Sequence, residues 1–387
     1  MYFFFLFILL PYVSYSIDSF EKLLISSPKK SQSSHAITYK LETWRRLGDN
    51  ITVFCKALFF SNAYHIKLFY KPFPYSDQFA LHQTMTLLTP EIEKRYSKIV
   101  SIQTMQDLEK NLDSEEPILF ECHFLTQTPW LYSYSREHGD FEQEIKTLFT
   151  PLIPIEPLPR PENIVTVALH VRKGGGFDRP LGSIQEYEIA HETVKGFYLL
   201  KNCPAGSYTD VWPIQWPAGP KFIEEIQKLY AKKHAFSDYT WPIKFPSDQY
   251  YIDQLKELTK ILPHKNLLVY IFTDDPNPEE IMNRYSKALA EYPRIIFSYR
   301  KVGNHHTKNV LEDLFALTQC DCLISASSSF AHAAQLLGNH SITMMPVHAI
   351  TLPDKIIINK VGVMCMNNAL DYKNRKLNYN EIVHKIK

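Results

Sequence analysis

Three short polar segments, each directly after an apolar run, contain the side chains that could do chemistry. One is cationic, one is acidic and one is rich in hydroxyl groups: His170-Val171-Arg172-Lys173, Asp274-Asp275 and Ser327-Ser328-Ser329. An arginine can donate to two phosphate oxygens at once, and the start of a helix offers free backbone N–H groups and the positive end of the helix dipole. A cation and a helix start brought together predict a site for a diphosphate.

These segments do not have the pattern of a metal site or of a common nucleotide-binding loop. Asp274 and Asp275 are adjacent, and the chain contains no two aspartates separated by one residue. Gly174–Gly176 would let a ligand approach the backbone, but their spacing is that of neither a Walker loop nor a dinucleotide fingerprint. We therefore predict a site without a metal. Each segment also has a structural interpretation, because serines cap helices and Asp275-Pro276 is a common turn.

The second half of the chain predicts a parallel sheet that would position these segments. Five apolar runs have strand character: Ile164–Val171, Leu267–Thr273, Ile295–Tyr299, Cys322–Ser325 and Ile342–Met345. Three runs between them have helical character: Pro278–Ala290, Asn309–Gln319 and Ser328–Leu337. Continuously apolar strands separated by helices are typical of a parallel sheet covered on both faces. Such sheets bind ligands at the carboxyl ends of their strands, which is where the three segments lie.

The first half is less regular and predicts a second α/β lobe. It contains one helical run and two strand runs: Ile51–Ala63, His65–Tyr70 and Ile118–Phe124. The proline-rich segment 151–163 predicts the boundary between an N-terminal lobe, 17–160, and a C-terminal lobe, 161–387.

One long stretch of the C-terminal lobe, residues 197–263, fits no repeat of strand and helix. Because this stretch is rich in tryptophan and proline, we predict an insertion that lies over the cleft. Near its end, Tyr250 and Tyr251 could stack on a sugar or pack inside a helix.

Composition and the N-terminus restrict the class of protein. The 42 Lys and Arg residues balance the 41 Asp and Glu residues, so no strong positive field exists to bind nucleic acid. The apolar run Tyr2–Val13 is shorter than the roughly 20 residues that span a bilayer. We predict a signal-like segment, 1–16, that is cleaved or retained as a short membrane anchor, and hence a secretory-pathway or exported protein. Cys320 and Cys322 are expected to be buried thiols.

In these segments the chain resembles the fucosyltransferases that share a His-x-Arg motif, and most of all their α1,6 branch. The resemblance comprises five ordered motifs: His170-Val171-Arg172, Asp178 nine positions before Tyr187, the turn Thr273–Pro276, a run from Asp313 through Leu317 and Gln319 to Asp321 that leads to Ser328-Ser329, and the turn Arg46–Asn50. Lys173 and Gly175 stand where the family pattern has an arginine and an aspartate, and Asp49 stands where it has an asparagine.

The resemblance implies a GT-B-like α/β fold with two Rossmann-like lobes, of which the C-terminal lobe binds the nucleotide sugar and the N-terminal lobe faces the acceptor. It implies inverting transfer of fucose from GDP-fucose to a hydroxyl of a glycan or protein, with no metal and no other cofactor. Association with a membrane would occur through the N-terminal segment.

The resemblance also implies roles for individual residues. His170 and Asp313 would bind the guanine edge, and Arg172 would stabilise the charge on the leaving diphosphate, aided by the serine-rich helix start. Asp178 would accept the proton of the acceptor hydroxyl, with Glu186 as its substitute. Contacts with the donor are implied for the following residues: His170, Arg172, Lys173, Tyr187, Asp274, Asp275, Asp313, Ser328, Ser329, Gly48, Asp49 and Asn50.

Three alternative interpretations remain open at this stage. The departures at Lys173 and Gly175 leave room for a GT-B-like transferase that uses another nucleotide sugar. A related protein that binds carbohydrate without catalysis would keep the same fold. A structural α/β surface protein is disfavoured, because it gives no reason for all three polar segments to follow strands.

The role of Asp178 can be tested directly. If this carboxylate is the general base, Asp178→Asn will leave donor binding intact and abolish transfer to the acceptor, because an amide cannot take the proton. Donor affinity and transfer rate measured on the same preparation separate the two effects, and unchanged transfer would refute the assignment.

Overall fold

The structure is a computed structural model that describes residues 34–42, 45–102, 105–123, 139–173, 186–188, 197–199, 246–301, 308–351 and 355–365. The chain divides into two compact units, Met1–Asp77 with Leu81–Leu131, and Gln78–Ala80 with Tyr132–Lys387. The signal-like segment 1–16 lies outside the described residues. Within the described ranges, no helix combines the length and the apolar character needed to cross a membrane.

The first unit is a four-stranded parallel sheet with helices. In chain order it contains β1 (Ala36–Tyr39), α1 (Leu47–Tyr64), β2 (Lys67–Leu68), α2 (Leu81–Thr84), α3 (Pro90–Glu93), β3 (Lys98–Ile102), α4 (Met105–Glu109) and β4 (Ile118–Cys122), and the strand order is β2-β1-β4-β3. The strand predicted from His65 begins two residues later. The reason is that His65 ends α1 in the left-handed conformation, with φ 53°, and its N–H bonds the carbonyl of Ser61.

The second unit is built on an eight-stranded sheet. Its elements are α5 (Gly139–Leu148), β5 (Ile164–Val171), β6 (Glu186–Glu188), β7 (Phe197–Leu199), α6 (Asp248–Ile261), β8 (Asn266–Thr273), α7 (Pro278–Ala288), β9 (Ile295–Tyr299), α8 (Val310–Gln319), β10 (Cys322–Ser325), α9 (Ser329–Leu337), β11 (Ile342–Thr351) and β12 (Lys355–Cys365). The strand order is β6-β12-β11-β10-β5-β8-β9, with β7 also paired to β12. Only the β11–β12 pair is antiparallel among the described pairs. The predicted α/β class with parallel sheets is confirmed.

Each sheet contains one point at which the direction of chain progression reverses. In the second unit the chain first forms the short strands β6 and β7, which pair with β12. It then adds β8 and β9 on one side of β5, returns to β10 on the other side and continues to β11. In the first unit, β2 lies on one side of β1 and β4 on the other. Open parallel sheets bind ligands at such reversals, outside the carboxyl ends of the strands. The crevice between β5 and β10 is therefore the expected site in the second unit.

The end of the predicted insertion is instead part of the sheet domain. Residues 248–261 form α6, which directly precedes β8 and packs on the sheet in one apolar cluster with β5, β8 and β10. Tyr250 and Tyr251 are both fully buried in this cluster. Of the two interpretations of these tyrosines, helix packing is correct. The remainder of the stretch lies outside the described residues, apart from β7 and residues 246–247 and 262–263.

Four cysteines of the described residues are buried and outside any disulfide, namely Cys55, Cys122, Cys320 and Cys322. Burial raises the pKa of Cys122 and of Cys320 to about 12, so both remain protonated at physiological pH. The expectation for Cys320 and Cys322 is confirmed.

The amino-terminal edge of the second sheet is held by Asp321, directly before β10. Its Oδ2 accepts from the backbone N–H of Thr166 at 2.9 Å and from its hydroxyl at 2.8 Å, and its Oδ1 accepts from Arg160 at 2.6 Å. Gln319, in the same motif, accepts from the backbone N–H of Leu158 at 2.9 Å. The proline-rich segment 151–163 is thus bonded to the second unit, in which it lies. These two residues support the fold at the edge opposite the expected site.

Asp321→Ala is expected to lower the free energy of unfolding by about 1–3 kcal/mol, because the buried N–H of Thr166 would lose its acceptor. Urea denaturation measures this change. Glu257→Ala is the control, because Glu257 pairs with the exposed Lys260 and its loss should cost less than about 0.5 kcal/mol. Equal costs in the two variants would contradict the assignment.

Candidate functional site

The three polar segments predicted from the sequence lie at adjacent strand ends. His170 on β5 is in register with Ser325 on β10 and with Phe272 on β8, and Val171 is in register with Thr273. Because β5 is parallel to both neighbours, the cationic segment is flanked by the serine segment on one side and the acidic segment on the other. The site is therefore assembled at the reversal of strand order.

Arg172 contacts the start of α9. Its side chain is buried, with 6% of the residue exposed, and its Nη1 donates to the Ser328 hydroxyl at 3.0 Å. Ser328 is the N-cap of α9, and its hydroxyl also accepts from the backbone N–H of Phe330. The guanidinium therefore lies beside the positive end of the α9 dipole, where Ser329 is the first helical residue. An anion bound there would be stabilised by both.

His170 lies on the same side of the sheet as Arg172. Its ring is 5.9 Å from the ring of Phe330, at an interplanar angle of 39°. Alternate strand residues point to one face, so contacts of both side chains with the first turn of α9 agree with the predicted common orientation.

Lys173 and the acidic segment form bonds within the protein. The Lys173 ammonium donates to Asp248 Oδ1 at 2.7 Å, and the Lys173 backbone N–H donates to Asp274 Oδ1 at 2.6 Å. Asp275 Oδ1 accepts from the backbone N–H of Asn277 at 2.8 Å. In this structure these side chains fix the loops around Arg172, whereas their predicted contacts with a donor stay predictions. Among the described residues, no group of three His, Cys, Asp or Glu side chains is arranged to hold a metal ion.

Asp248, at the start of α6, was not singled out from the sequence. It also accepts from Arg284 Nε at 3.0 Å and from the Tyr285 hydroxyl at 2.9 Å. Burial raises the pKa of Asp248, but Lys173 and these hydrogen bonds outweigh burial and hold it below its ordinary value. The sequence signal was Ser247 followed by Asp248, a helix start whose serine hydroxyl accepts from the Tyr250 N–H.

Asp313 lies in the first turn of α8, which begins after the carboxyl end of β9 and therefore at the same edge of the sheet. Its Oδ1 accepts from Arg300 Nη2 at 2.8 Å and from Arg300 Nε at 3.2 Å. Burial raises the pKa of Asp313 to about 6, against the opposing effect of Arg300. No bond between Asp313 and His170 occurs in the described part of the structure, so joint recognition of guanine stays a prediction.

Of the two remaining predicted residues of the second unit, Asp178 and Tyr187, the structure describes only Tyr187. Asp178 lies outside the described residues. Tyr187 is on β6, where it is in register with Ile356 of β12, and its side chain and that of Glu186 are not among those described. Four strand positions separate β6 from β5, which is roughly 19 Å at about 4.8 Å per strand.

The predicted turn of the first unit lies at the start of α1, at the reversal of strand order in that sheet. Gly48, Asp49 and Asn50 belong to the first turn, and the Gly48 carbonyl accepts from the Thr52 hydroxyl at 2.8 Å. Asn50 is 2% exposed, and its Oδ1 has no hydrogen-bond partner among the described residues. This turn therefore occupies the same position in its own sheet as the cationic segment does in the other.

Comparison with known proteins gives distant structural similarities. No protein-family model matches the sequence, and neither does any curated protein. Aligned solved structures include POFUT1 in complex with GDP-fucose, at 13% identity and a TM-score of 0.41 over 81% of this chain and 96% of that chain. A variant of Arabidopsis thaliana FUT1 with GDP aligns at 12% identity and a TM-score of 0.40 over 85% and 74%. The fucosyltransferase NodZ from Bradyrhizobium aligns at 10% identity and 0.32 over 87% and 100%.

The raised pKa of Asp313 predicts a pH effect on stability. An acid whose pKa is about 6 in the folded chain and 3.8 ordinarily binds its proton more tightly when folded. Its contribution to the free energy of unfolding therefore falls as pH rises from about 4 to 6, by roughly 1–3 kcal/mol. Asp313→Asn removes this titration. Urea denaturation of both proteins at several pH values measures the difference, and a difference that does not vary between pH 4 and 6 would contradict the shift.

Proposed function

We propose that this protein is a glycosyltransferase that uses a nucleoside diphosphate sugar, with GDP-fucose as the donor that best fits the sequence. The observation that carries the proposal is the contact between the Arg172 guanidinium and the N-cap hydroxyl of α9, 3.0 Å apart, at the reversal of strand order. Two groups that stabilise negative charge meet at the position where open parallel sheets bind nucleotides.

The diphosphate would bind with its β-phosphate between Arg172 and the first N–H groups of α9. A guanidinium can bond two phosphate oxygens, and a charged hydrogen bond contributes about 1.5–3 kcal/mol. Ser328 and Ser329 add hydroxyl groups at the same place. His170 and Asp313 are proposed to bind guanine, because an ionised carboxylate can accept from the two adjacent N–H donors of that base.

The proposed reaction is a direct displacement at the anomeric carbon. The acceptor oxygen forms a bond to this carbon while the bond to the β-phosphate oxygen breaks, so the configuration of the sugar is inverted. The acceptor proton passes to a carboxylate, for which Asp178 is the candidate. The negative charge that grows on the departing GDP is stabilised by Arg172 and by the start of α9, and no metal is required for that role.

The acceptor is proposed to be a hydroxyl group of a glycan or protein. The N-terminal apolar segment supports entry into the secretory pathway, or export, as the setting in which such acceptors are met.

The first experiment compares the thermal stability of the full chain with GDP, UDP, ADP and CDP, each with and without EDTA. A ligand that binds only the folded state at about 100 times its Kd stabilises by about 2.7 kcal/mol, which is readily measured as a rise in Tm. We expect a rise with GDP alone that EDTA does not change. Preference for UDP would favour a transferase with another donor, and no response to any nucleotide would refute the site.

Arg172→Ala should weaken GDP binding about 10- to 100-fold and lower the hydrolysis of GDP-fucose about 100-fold or more. Arg160→Ala is the matched control, because it removes the same charge from the amino-terminal edge, where Arg160 pairs with Asp321. Arg172→Lys should bind GDP and hydrolyse GDP-fucose better than Arg172→Ala but less well than the unaltered protein. The lysine keeps the charge but cannot form the bidentate hydrogen bonds of a guanidinium.

Calorimetry and a hydrolysis assay measure these two effects. GDP binding without any hydrolysis or transfer by the unaltered protein would identify a non-catalytic relative, and near-normal turnover by Arg172→Ala would refute the role of Arg172.

A further inference from the structure

We propose that Tyr250 and Tyr251 of α6 act as a tyrosine clamp, which fixes the carboxyl ends of β5 and β10 and thereby positions Arg172 at the start of α9. The clamp itself follows from hydrogen bonds within the second unit. Its consequence for ligand binding rests on the proposed function.

The two hydroxyls bind the two strands on either side of the crevice. Tyr251 donates to the carbonyl of His170 at 3.1 Å, and Tyr250 donates to the carbonyl of Ser325 at 3.1 Å. His170 and Ser325 are the last register pair between β5 and β10. Adjacent residues of one helix therefore hydrogen-bond both members of one register pair of the sheet.

The Tyr251 hydroxyl also contacts the backbone of Arg172. It accepts from the Arg172 N–H at 3.4 Å while it donates to His170, so it bonds the peptide groups on both sides of Val171. The next N–H, that of Lys173, is bonded by Asp274 at 2.6 Å. The backbone from which the Arg172 side chain extends is thus fixed at consecutive peptide groups.

The clamp is rigid because its rings are packed. Both tyrosines are fully buried, and their ring centroids are 4.9 Å apart in an edge-to-face arrangement. Tyr251 also stacks on Tyr285, with 6.3 Å between ring centroids. Burial raises the pKa of Tyr251 above its ordinary value, which keeps the hydroxyl protonated and able to donate. A ligand that binds Arg172 would meet a preorganised guanidinium and would not have to order it.

The test uses Tyr251→Phe and Tyr250→Phe, which remove the hydroxyls and keep the rings. Tyr270→Phe is the matched control, because the buried Tyr270 also donates to a carbonyl, that of Pro159 at 2.6 Å, but at the middle of β8. Amide hydrogen exchange over residues 164–173 and 322–330 reports the strand ends. Calorimetric titration with GDP, at a temperature where every variant is folded, reports binding.

We expect faster exchange at the strand ends and about five- to tenfold weaker GDP binding in both clamp variants. Tyr270→Phe should match the unaltered protein in both measurements. Unchanged exchange in the clamp variants would overturn the clamp, and faster exchange with unchanged GDP affinity would overturn its positioning role. An equal loss of affinity in Tyr270→Phe would also overturn that role, because it would reflect general stability.

Failure of the proposed function gives a different result. If the unaltered protein binds no nucleoside diphosphate, the proposed function fails, while the exchange comparison still decides whether the clamp exists.

Discussion

The parallel pairing of β5 with β10 is the contact on which the rest of the second unit depends. β5 is the first strand of this sheet in the chain, and β10 follows only after β8 and β9 have been added on the other side of β5. This pairing brings the end of β5, with Arg172, next to the loop that begins α9. It is supported at the amino-terminal edge by Asp321 and at the carboxyl edge by two tyrosine hydroxyls. One pair of strands is thus fixed at both ends.

The charge at this edge comes from a few positioned groups, in a chain with a net charge of only +1. Arg172 adds its charge to the dipole of α9, while His332, one turn into that helix, adds none. Burial lowers the pKa of His332 to about 4, so its imidazole is neutral at physiological pH. Lys173 is compensated by Asp248 and Arg300 by Asp313. An anion bound at this edge would therefore be stabilised by the position of Arg172 more than by a general positive potential.

The sequence was sufficient for the elements with strong patterns. Ile164–Val171 was predicted with the bounds that the structure has, since a strand with seven apolar or β-branched residues out of eight has few other interpretations. β1 and β3 were not predicted. β1 has only four residues, too few to show a repeating pattern of apolar residues, and β3 is an exposed strand without alternating burial. β11 continues past Pro346, although a proline usually marks the end of a strand because it lacks the N–H that a sheet requires. The register with β12 shifts after that proline.

The sequence predicted where the candidate site lies, but not which groups its side chains bond. The rule that ligands bind at strand ends predicted that the cationic segment and the serine-rich helix start would come together, and in the structure Arg172 does contact Ser328. It could not reveal that Lys173 and Asp274 bond protein groups, because Asp248 is far away in sequence and Asp274 meets a backbone N–H. α6 was missed as a sheet-packing helix because its apolar spacing follows a long stretch without regular pattern.

The ion pair between Lys173 and Asp248 joins the two points where the chain leaves β5 and returns at α6. The stretch 174–247 therefore starts and ends at fixed, neighbouring positions beside the sheet. This stretch includes β6 and β7, which pair with β12. The entropy cost of closing a loop grows only with the logarithm of its length, so insertions between these elements would destabilise the sheet little. The length of the chain between these elements could therefore vary in evolution while the proposed diphosphate site stayed the same, and protein engineers could vary it for the same reason.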